Sequence, residues 1–375
     1  MTYYNLESGD MIGIVGGGQL GKMMAQSAQK MGFKVAILDP DEHCPAQFVA
    51  HEFINADYSN EKALNQLGNI SKVVTYEFEN IDAQQLEALS NKYNIPQGSE
   101  TVALLQDRLT EKQTLESAHV NIVPFLEVKQ SQDLDEAIET IGFPFIIKTR
   151  FGGYDGKGQL VIRSNDDLDE AKKLIADTPC VVEKYLPLYK EVSITATRDI
   201  YGQTVYFPLQ ENEHRDQILY KTIVPARLDF EEQAINEVEK IMSKVHFIGT
   251  FTVEFFVTDD YKLFVNEIAP RPHNSGHYSI EACDYSQFDT HILAVAGWHL
   301  PEKINLLQPA IMMNLLGQDV SNLKHEFYKH PDWHVHIYGK KINKVNRKMG
   351  HITKLSTDLD KDEQQFNQIF EGRNK

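Results

Sequence analysis

The sequence predicts a chain of mixed class: an α/β unit, then an α+β unit, then a small β-rich unit. Three observations carry this. Residues 11–100 alternate short apolar runs with helix-period runs, the rhythm of βαβ crossovers in a doubly wound parallel sheet. After residue 100, strands and helices no longer alternate one for one. Beyond residue 297 the runs "AIMMNLLG", "WHVHIYGK" and "GHITKLST" read as strands of a third unit. The expected domains are therefore 1–100, 101–297 and 298–375, with the Pro- and Gly-bearing "NIPQGSE" as the exit from the first. A length of 375 residues suits two or three domains of about 100–200 residues each.

In the first unit "MIGIVG", "KVAILD" and "KVVTYEF" are the strand runs, with "QLGKMMAQSAQKMG" and "AQQLEALSNKY" as helices. Residues 101–135 read mostly helical, "QDRLTEKQTLESA" being the clearest amphipathic run. "FPFIIKTRFGGYDGKGQLVI" reads as two strands joined by a glycine-dense turn. "CVVEKYLPLYKEVSITATRD" is a strand, a connection and a strand, and "FEEQAINEVEKIMSKV" is a helix. A strand pair around "TDDYK" then runs into a polar loop ending near residue 283.

Composition narrows the function classes. A net charge of −17 argues against a general affinity for nucleic acid, whose phosphates attract basic faces. It says little about small anions, which local charge can hold. The three cysteines, Cys44, Cys180 and Cys283, stand in no metal or redox spacing, and no signal-like apolar run opens the sequence. The expectation is a reducing cytoplasm. No apolar run approaches the roughly 18 residues of a membrane span. The tail from Asp358 resembles a calcium loop only superficially, because Glu363 and Ile369 stand where glycine and glutamate are needed.

Residues 12–23, "IGIVGGGQLGKM", fit G-x-G-x-x-G at Gly16, Gly18 and Gly21, and Asp39 ends the next strand run near the offset of a ribose-binding acid. Glycines let a backbone approach a phosphate, and a helix N-terminus offers free N–H groups. The match specifies a phosphate or close strand–helix packing and does not by itself specify a nicotinamide.

Four constellations carry chemistry. Residues 146–159, "IIKTRFGGYDGKGQ", are not a Walker A loop, since Gly158 stands where Ser or Thr is required. Lys148 at a strand end, followed by Gly152, Gly153, Gly156 and Gly158, suits another way of holding a triphosphate. The alternative is a flexible hairpin with an incidental lysine. Glu254 and Glu267 lie thirteen apart on two strand runs, so a hairpin about "TDDYK" can set them opposite each other. Paired carboxylates call for a cation, and Mg2+ bridged to phosphate is the natural choice; two solvated strand acids are the alternative. "EIAPRPHNSGH" gathers Arg271, His273, Asn274, Ser275 and His277, donors suited to a planar anion such as bicarbonate, or else a solvated surface loop. "YGKKINKVNRK" concentrates Lys340, Lys341, Lys344, Arg347 and Lys348 with no interleaved stacking aromatics: a local phosphate site, or an exposed hairpin.

Taken in this order, "GIVGGGQLGKM", "TYEFEN", "QDRLTEK", "FGGYDGKGQ", "VEKYL", "VEFF", "NEIAPRPHNSGH" and "GKKINKVNRKMGH" resemble the ATP-grasp superfamily. Within it they are most similar to the 5-(carboxyamino)imidazole ribonucleotide synthases of purine biosynthesis. The likeness spans nearly the whole chain. It implies an ATP-grasp fold and a ligase that carboxylates 5-aminoimidazole ribonucleotide with ATP and bicarbonate through carboxyphosphate, using Mg2+ and neither biotin nor NAD. It also implies a homodimer.

The resemblance assigns residues as well. Arg108, Lys148 and the loop Gly153, Tyr154, Asp155, Gly156, Lys157, Gly158 and Gln159 would contact ATP phosphates. Glu183, Lys184, Tyr185 and Leu186 would form the adenine hinge, Glu191 would hold the ribose, and His214 and Asn266 would be further nucleotide contacts. Glu254 and Glu267 would be magnesium ligands, and Arg271, His273 and Asn274 would hold bicarbonate. Tyr154 and Asp155 would meet the aminoimidazole, Asp155 orienting or deprotonating its amine. Gly17, Gly18, Gln19 and Glu77 would face the ribonucleotide, with Lys340, Arg347 and Lys348 at its phosphate. One departure stands out: Val345-Asn346 replaces the Pro-Gly turn expected before "RK". The rival readings are another ATP-grasp ligase, a nicotinamide-dependent dehydrogenase, and a binding protein that keeps the fold without turnover.

Overall fold

The computed structural model describes residues 5–153 and 158–371. The first sheet is built from β1 (Met11–Val15), β2 (Lys34–Asp39), β3 (Glu52–Asn55) and β4 (Val73–Tyr76), in the order β3-β2-β1-β4 and parallel throughout. β1, β2 and β4 are almost wholly buried, as apolar strands covered on both faces must be. β3 carries a mixed pattern at the sheet edge and escapes a reading based on apolar runs.

A second sheet contains β5 (Phe125–Val128), β6 (Phe145–Thr149), β7 (Gln159–Ile162) and β8 (Cys180–Lys184), antiparallel in the order β5-β8-β6-β7. β5 falls inside the segment expected to be mostly helical. Its four residues pair with β8, a partner more than fifty positions away, so tertiary pairing overrides the local pattern. The glycine-dense turn joins β6 to β7, with Lys148 opposite Gln159.

The third sheet has nine strands: β9 (Leu188–Arg198), β10 (Thr204–Tyr206), β11 (Gln210–Arg215), β12 (Ile218–Val224), β13 (Gly249–Thr258), β14 (Leu263–Ala269), β15 (Ala310–Leu316), β16 (Trp333–Ile337) and β17 (Lys348–Leu355). The path runs β14-β13-β9-β11-β12-β15-β17-β16, with β10 on β9. The three C-terminal strands expected in a separate unit thus extend the central sheet through β12 and β15, where Lys221 pairs with Met313. That continuity fixes the basic segment before β17 over the same side of the molecule as the acid-bearing strands.

The first sheet shares its core with the middle of the chain. Helix Gln19–Lys30 packs its buried Met24 and Ala28 against Phe288, Ile292 and Val295 of helix Gln287–Val295. His291 completes the joint. Its Nδ1 accepts from the Thr250 amide at 3.1 Å, which leaves Nε2 to donate to Thr75 Oγ1 of β4 at 2.9 Å. Burial pushes this imidazole down to about 3. The folded chain therefore holds it neutral where the unfolded chain protonates it, so its contribution is whole above about pH 6.5 and shrinks as pH falls. The stability advantage of wild type over His291→Gln, measured by urea unfolding, is expected to fall between pH 6.5 and 4 by up to about 1.4 kcal/mol per pH unit. A difference independent of pH contradicts the neutral-imidazole joint.

Candidate active site

A cavity of about 900 Å³ opens where the three sheets meet. Its floor is the hairpin of β13 and β14. Val253, Phe255, Val257 and Val265 point away from the cavity into the core, beneath helix Glu231–Met242. The alternate residues Glu254 and Phe256 therefore face inward, and Glu254 stands directly opposite Glu267, beside a bulge after Glu254. Burial, reinforced by the neighbouring Glu267 charge, raises the Glu254 carboxyl to about 7. Arg108 Nη1 lies 3.9 Å from Glu267 Oε2. Asn266 Oδ1 is buried beside the pair without a hydrogen-bond partner. This is an all-oxygen donor set crowded with like charge, and it suits a hard divalent cation. Among the described residues no three His, Cys, Asp or Glu side chains converge into a metal cage. A cation here would keep most of its ligands from water or phosphate, the habit of Mg2+ rather than Zn2+.

His273 closes one side. The Ser275 amide points at its Nδ1 from 3.3 Å, so Nδ1 is the acceptor and Nε2 carries the proton, 3.3 Å from Glu254 Oε1. Burial, then the nearby Arg271, holds this imidazole well below its usual range and hence neutral. Arg271 makes a two-bond pair with Glu79, a residue of "YEFEN" that the sequence reading did not single out. Asn274 lines the cavity with both amide atoms buried and unpartnered. Buried polar atoms left this way cost stability unless something binds them.

A lysine cluster forms the wall facing the hairpin. Lys148 Nζ lies 2.8 Å from Glu183 Oε2 across β6 and β8, and Lys112 Nζ lies 3.6 Å from the same oxygen. Burial alone would raise Glu183, but Lys112, Lys148 and Arg108 outweigh it and hold the carboxyl at about 2. Arg108, Glu111 and Lys112 all come from the first turns of helix Arg108–Ser117. Lys112 also donates to the Asn266 carbonyl at 2.9 Å, and Glu111 accepts from the Ile268 amide at 2.9 Å. Sequence reasoning missed Glu111 and Lys112. Their i+3 and i+4 spacing from Arg108 puts them on its face, the one signal that could have found them.

Lys184 ends β8, and Tyr185 and Leu186 follow it along the cavity edge, the Lys184 ammonium being tied to the Ile141 carbonyl at 3.0 Å. Glu191 of β9 and His214 of β11 also reach in, 2.7 Å apart. Burial would lower His214, but Glu191 outweighs it and the shift is upward. Gly153 and Gln159 line the cavity, and Gly158, at φ +75°, accepts from the Thr149 amide at 2.8 Å to begin β7. Tyr154, Asp155, Gly156 and Lys157 lie outside the described residues.

The first sheet supplies the far wall through Gln19 and Glu77. Here the glycine turn differs from the dinucleotide pattern it matches. The amides of Gly18 and Gly21 both donate to the Glu77 carboxylate at 2.5 Å, so the chain's own anion sits at the helix N-terminus where a pyrophosphate would lie. A side chain at Gly21 would come 2.3 Å from the Gly16 carbonyl. Gly17 donates to Asp39 at 2.7 Å, and Asp39 also accepts from Tyr58 at 2.6 Å and the Asp41 amide at 2.8 Å. The glycines and Asp39 thus serve strand–helix packing. Of the turn, Gln19 lines the cavity and Gly17 and Gly18 stand behind it.

Lys340 and Arg347 of the segment before β17, and Lys348 at the first position of that strand, overhang the cavity. Lys340 Nζ donates to the Lys348 carbonyl at 2.8 Å, and Arg347 donates to the Ile342 carbonyl at 2.8 Å, which folds the loop on itself. Asn346 takes φ +64°, the left-handed conformation that the glycine of a Pro-Gly turn would supply. Asparagine tolerates it, and its amide and side chain are both bonded to Gln318.

Comparison with known proteins agrees with this geometry. Residues 10–106 match the ribonucleotide synthetase preATP-grasp domain, residues 113–288 the ATP-grasp domain, and residues 310–365 the phosphoribosylaminoimidazole carboxylase C-terminal domain. The chain is 64% identical to the N5-carboxyaminoimidazole ribonucleotide synthase of Staphylococcus aureus (strain MRSA252) over 374 residues, covering all of both chains. The crystal structure of the S. aureus N5-carboxyaminoimidazole synthetase complexed with ADP superposes with a TM-score of 0.96 over 98% of this chain and 99% of that one, at 64% identity. The Aspergillus clavatus N5-carboxyaminoimidazole synthase in complex with ADP and 5-aminoimidazole ribonucleotide gives 0.90 over 98% and 100%, at 27% identity. The chain belongs to the N5-carboxyaminoimidazole ribonucleotide synthase family of ATP-grasp enzymes.

Proposed function

We propose that the chain carboxylates the exocyclic amine of 5-aminoimidazole ribonucleotide, using ATP and bicarbonate through carboxyphosphate and releasing ADP and phosphate. The observation that carries the reading is one cavity holding three anion-binding walls, a lysine–arginine cluster, the Arg271–Asn274 loop and an overhanging basic loop, around a paired-glutamate floor suited to a cation. Three anionic partners, a triphosphate, a bicarbonate and a phosphate monoester, match the three.

In this reading Lys148 and Arg108, with Gly153 to Gln159, grip the ATP phosphates. The hinge Lys184–Leu186 takes the base edge, Glu191 takes the ribose hydroxyls, and His214 adds a nucleotide contact. Glu254 and Glu267, with Asn266 beside them, hold Mg2+, which when bound neutralises charge on the phosphate oxygens during transfer. Arg271, His273 and the unpartnered amide of Asn274 hold bicarbonate, one oxygen of which attacks the γ-phosphorus as ADP leaves. The neutral His273 suits this task because it donates through Nε2 without adding charge. The substrate amine then attacks the carboxyl carbon, phosphate departs, and Asp155 takes or orients the amine proton, Tyr154 being a second contact to the aminoimidazole. Gln19 and Glu77 border the ribonucleotide, with the Gly17–Gly18 turn behind them, and its phosphate meets Lys340, Arg347 and Lys348. The reading places the protein in the cytoplasm as a homodimer and involves no biotin; among the described residues, no helix is long and apolar enough to cross a membrane.

The test is isotopic. With 18O-labelled bicarbonate, inorganic phosphate is expected to carry one label per turnover, and ADP release is expected to require the ribonucleotide. Unlabelled phosphate overturns the carboxyphosphate route. ADP release indifferent to the ribonucleotide keeps an ATP-grasp ligase and points to another acceptor. Glu267→Gln is expected to lower kcat by about 100-fold or more, since one cation ligand loses its charge; turnover near wild type removes the metal assignment. Arg347→Ala is expected to raise the ribonucleotide KM about tenfold or more while leaving that of ATP within about twofold. Equal effects on both KM values contradict a phosphate site in the basic loop.

A further inference from the structure

Gln287 does not line the cavity, yet it holds the loop that bears Arg271, His273 and Asn274, which do. It is fully buried at the first turn of helix Gln287–Val295. Its Oε1 accepts from the His273 amide at 2.9 Å, and its Nε2 donates to the His273 carbonyl at 2.7 Å. One side-chain amide thus pairs with both backbone groups of a residue in extended conformation, φ −117° and ψ 155°, as a neighbouring strand would. The second hydrogen on Nε2 meets His277 Nδ1 at 3.0 Å. The amide orientation is fixed by these partners, because a flipped amide would set oxygen against the His273 carbonyl.

The surroundings keep this amide in place. The Gln287 backbone amide donates to Ser279 Oγ at 2.9 Å, and its carbonyl accepts from Thr250 Oγ1 at 2.9 Å. Ser286 and Asp289 cap the helix reciprocally at 3.0 Å. Gly276 leaves the space, since a side chain there would come 2.5 Å from Gln287 Oε1. The consequence reaches the cavity through His273: pinning its backbone sets where Nε2 meets Glu254 and where the unpartnered amide of Asn274 projects.

We propose that Gln287 is a positioning residue that clamps the 271–277 loop in its anion-binding geometry. The assignment of the anion as bicarbonate rests on the function proposed above. The test compares Gln287→Glu, which keeps size but sets an oxygen against the His273 carbonyl, with Gln287→Met, which removes all three bonds. Amide hydrogen exchange across residues 271–277, thermal unfolding, and KM for bicarbonate, ATP and ribonucleotide are measured on the full chain. Exchange at His273 and the bicarbonate KM are each expected to rise about tenfold or more, with the ATP KM held within about twofold. A lowered unfolding temperature with unchanged bicarbonate KM reduces Gln287 to packing and overturns the proposal. Rapid exchange at the His273 amide in the wild-type chain overturns it without any variant. If wild-type ADP release ignores bicarbonate, the functional reading fails, and the exchange comparison still decides the clamp.

Discussion

Two carboxylates facing each other across adjacent strands are a cost that the rest of the cavity is arranged around. Glu254 and Glu267 occupy opposed positions on β13 and β14, and the burial of Glu254 beside the half-exposed Glu267 makes their repulsion expensive. The protein surrounds them with positive or donating groups that are themselves tied down: Arg108 on a helix N-terminal turn, His273 in a fixed tautomer, and Arg271 in a two-bond pair with Glu79. None of these neutralises the pair outright. What remains is an unbalanced oxygen cluster in the pocket, an electrostatic state that a divalent cation would relieve.

The opposing wall solves the inverse problem. Lys148, Lys112 and Arg108 crowd one region, and Glu183 is the buried anion that makes their packing tolerable. Glu183 is almost wholly buried, so removing it would leave uncompensated positive charge beside it, more damaging than never having built the cluster. A chain with net charge −17 thus still gathers Arg108, Lys112 and Lys148 at one wall of the cavity. The far wall repeats the economy, with Glu77 filling the helix N-terminus that an incoming phosphate would otherwise compete for.

Much of this was legible in the sequence because it is local. The thirteen-residue spacing about "TDDYK" gives the glutamate pair, and Lys148 before the glycine run gives one end of the triphosphate wall. The parallel first sheet follows from strand–helix alternation. Other features are written in pairings that no window spans. β5 finds β8, the C-terminal strands join β12, and Glu79 finds Arg271 nearly two hundred residues away. Gln287, Glu111 and Lys112 are polar residues on helices, and their local sequence does not reveal that all three are buried. The glycine fingerprint shows the opposite failure, a local pattern whose obvious ligand place is taken by Glu77.

A glutamate floor that needs a cation should respond to Mg2+ in thermal unfolding with ADP at pH 8. At fixed ADP concentration, the midpoint is expected to be several degrees higher with excess Mg2+ than with chelator, and that difference is expected to vanish in Glu254→Gln. A wild-type midpoint indifferent to Mg2+ in the presence of ADP would contradict the account.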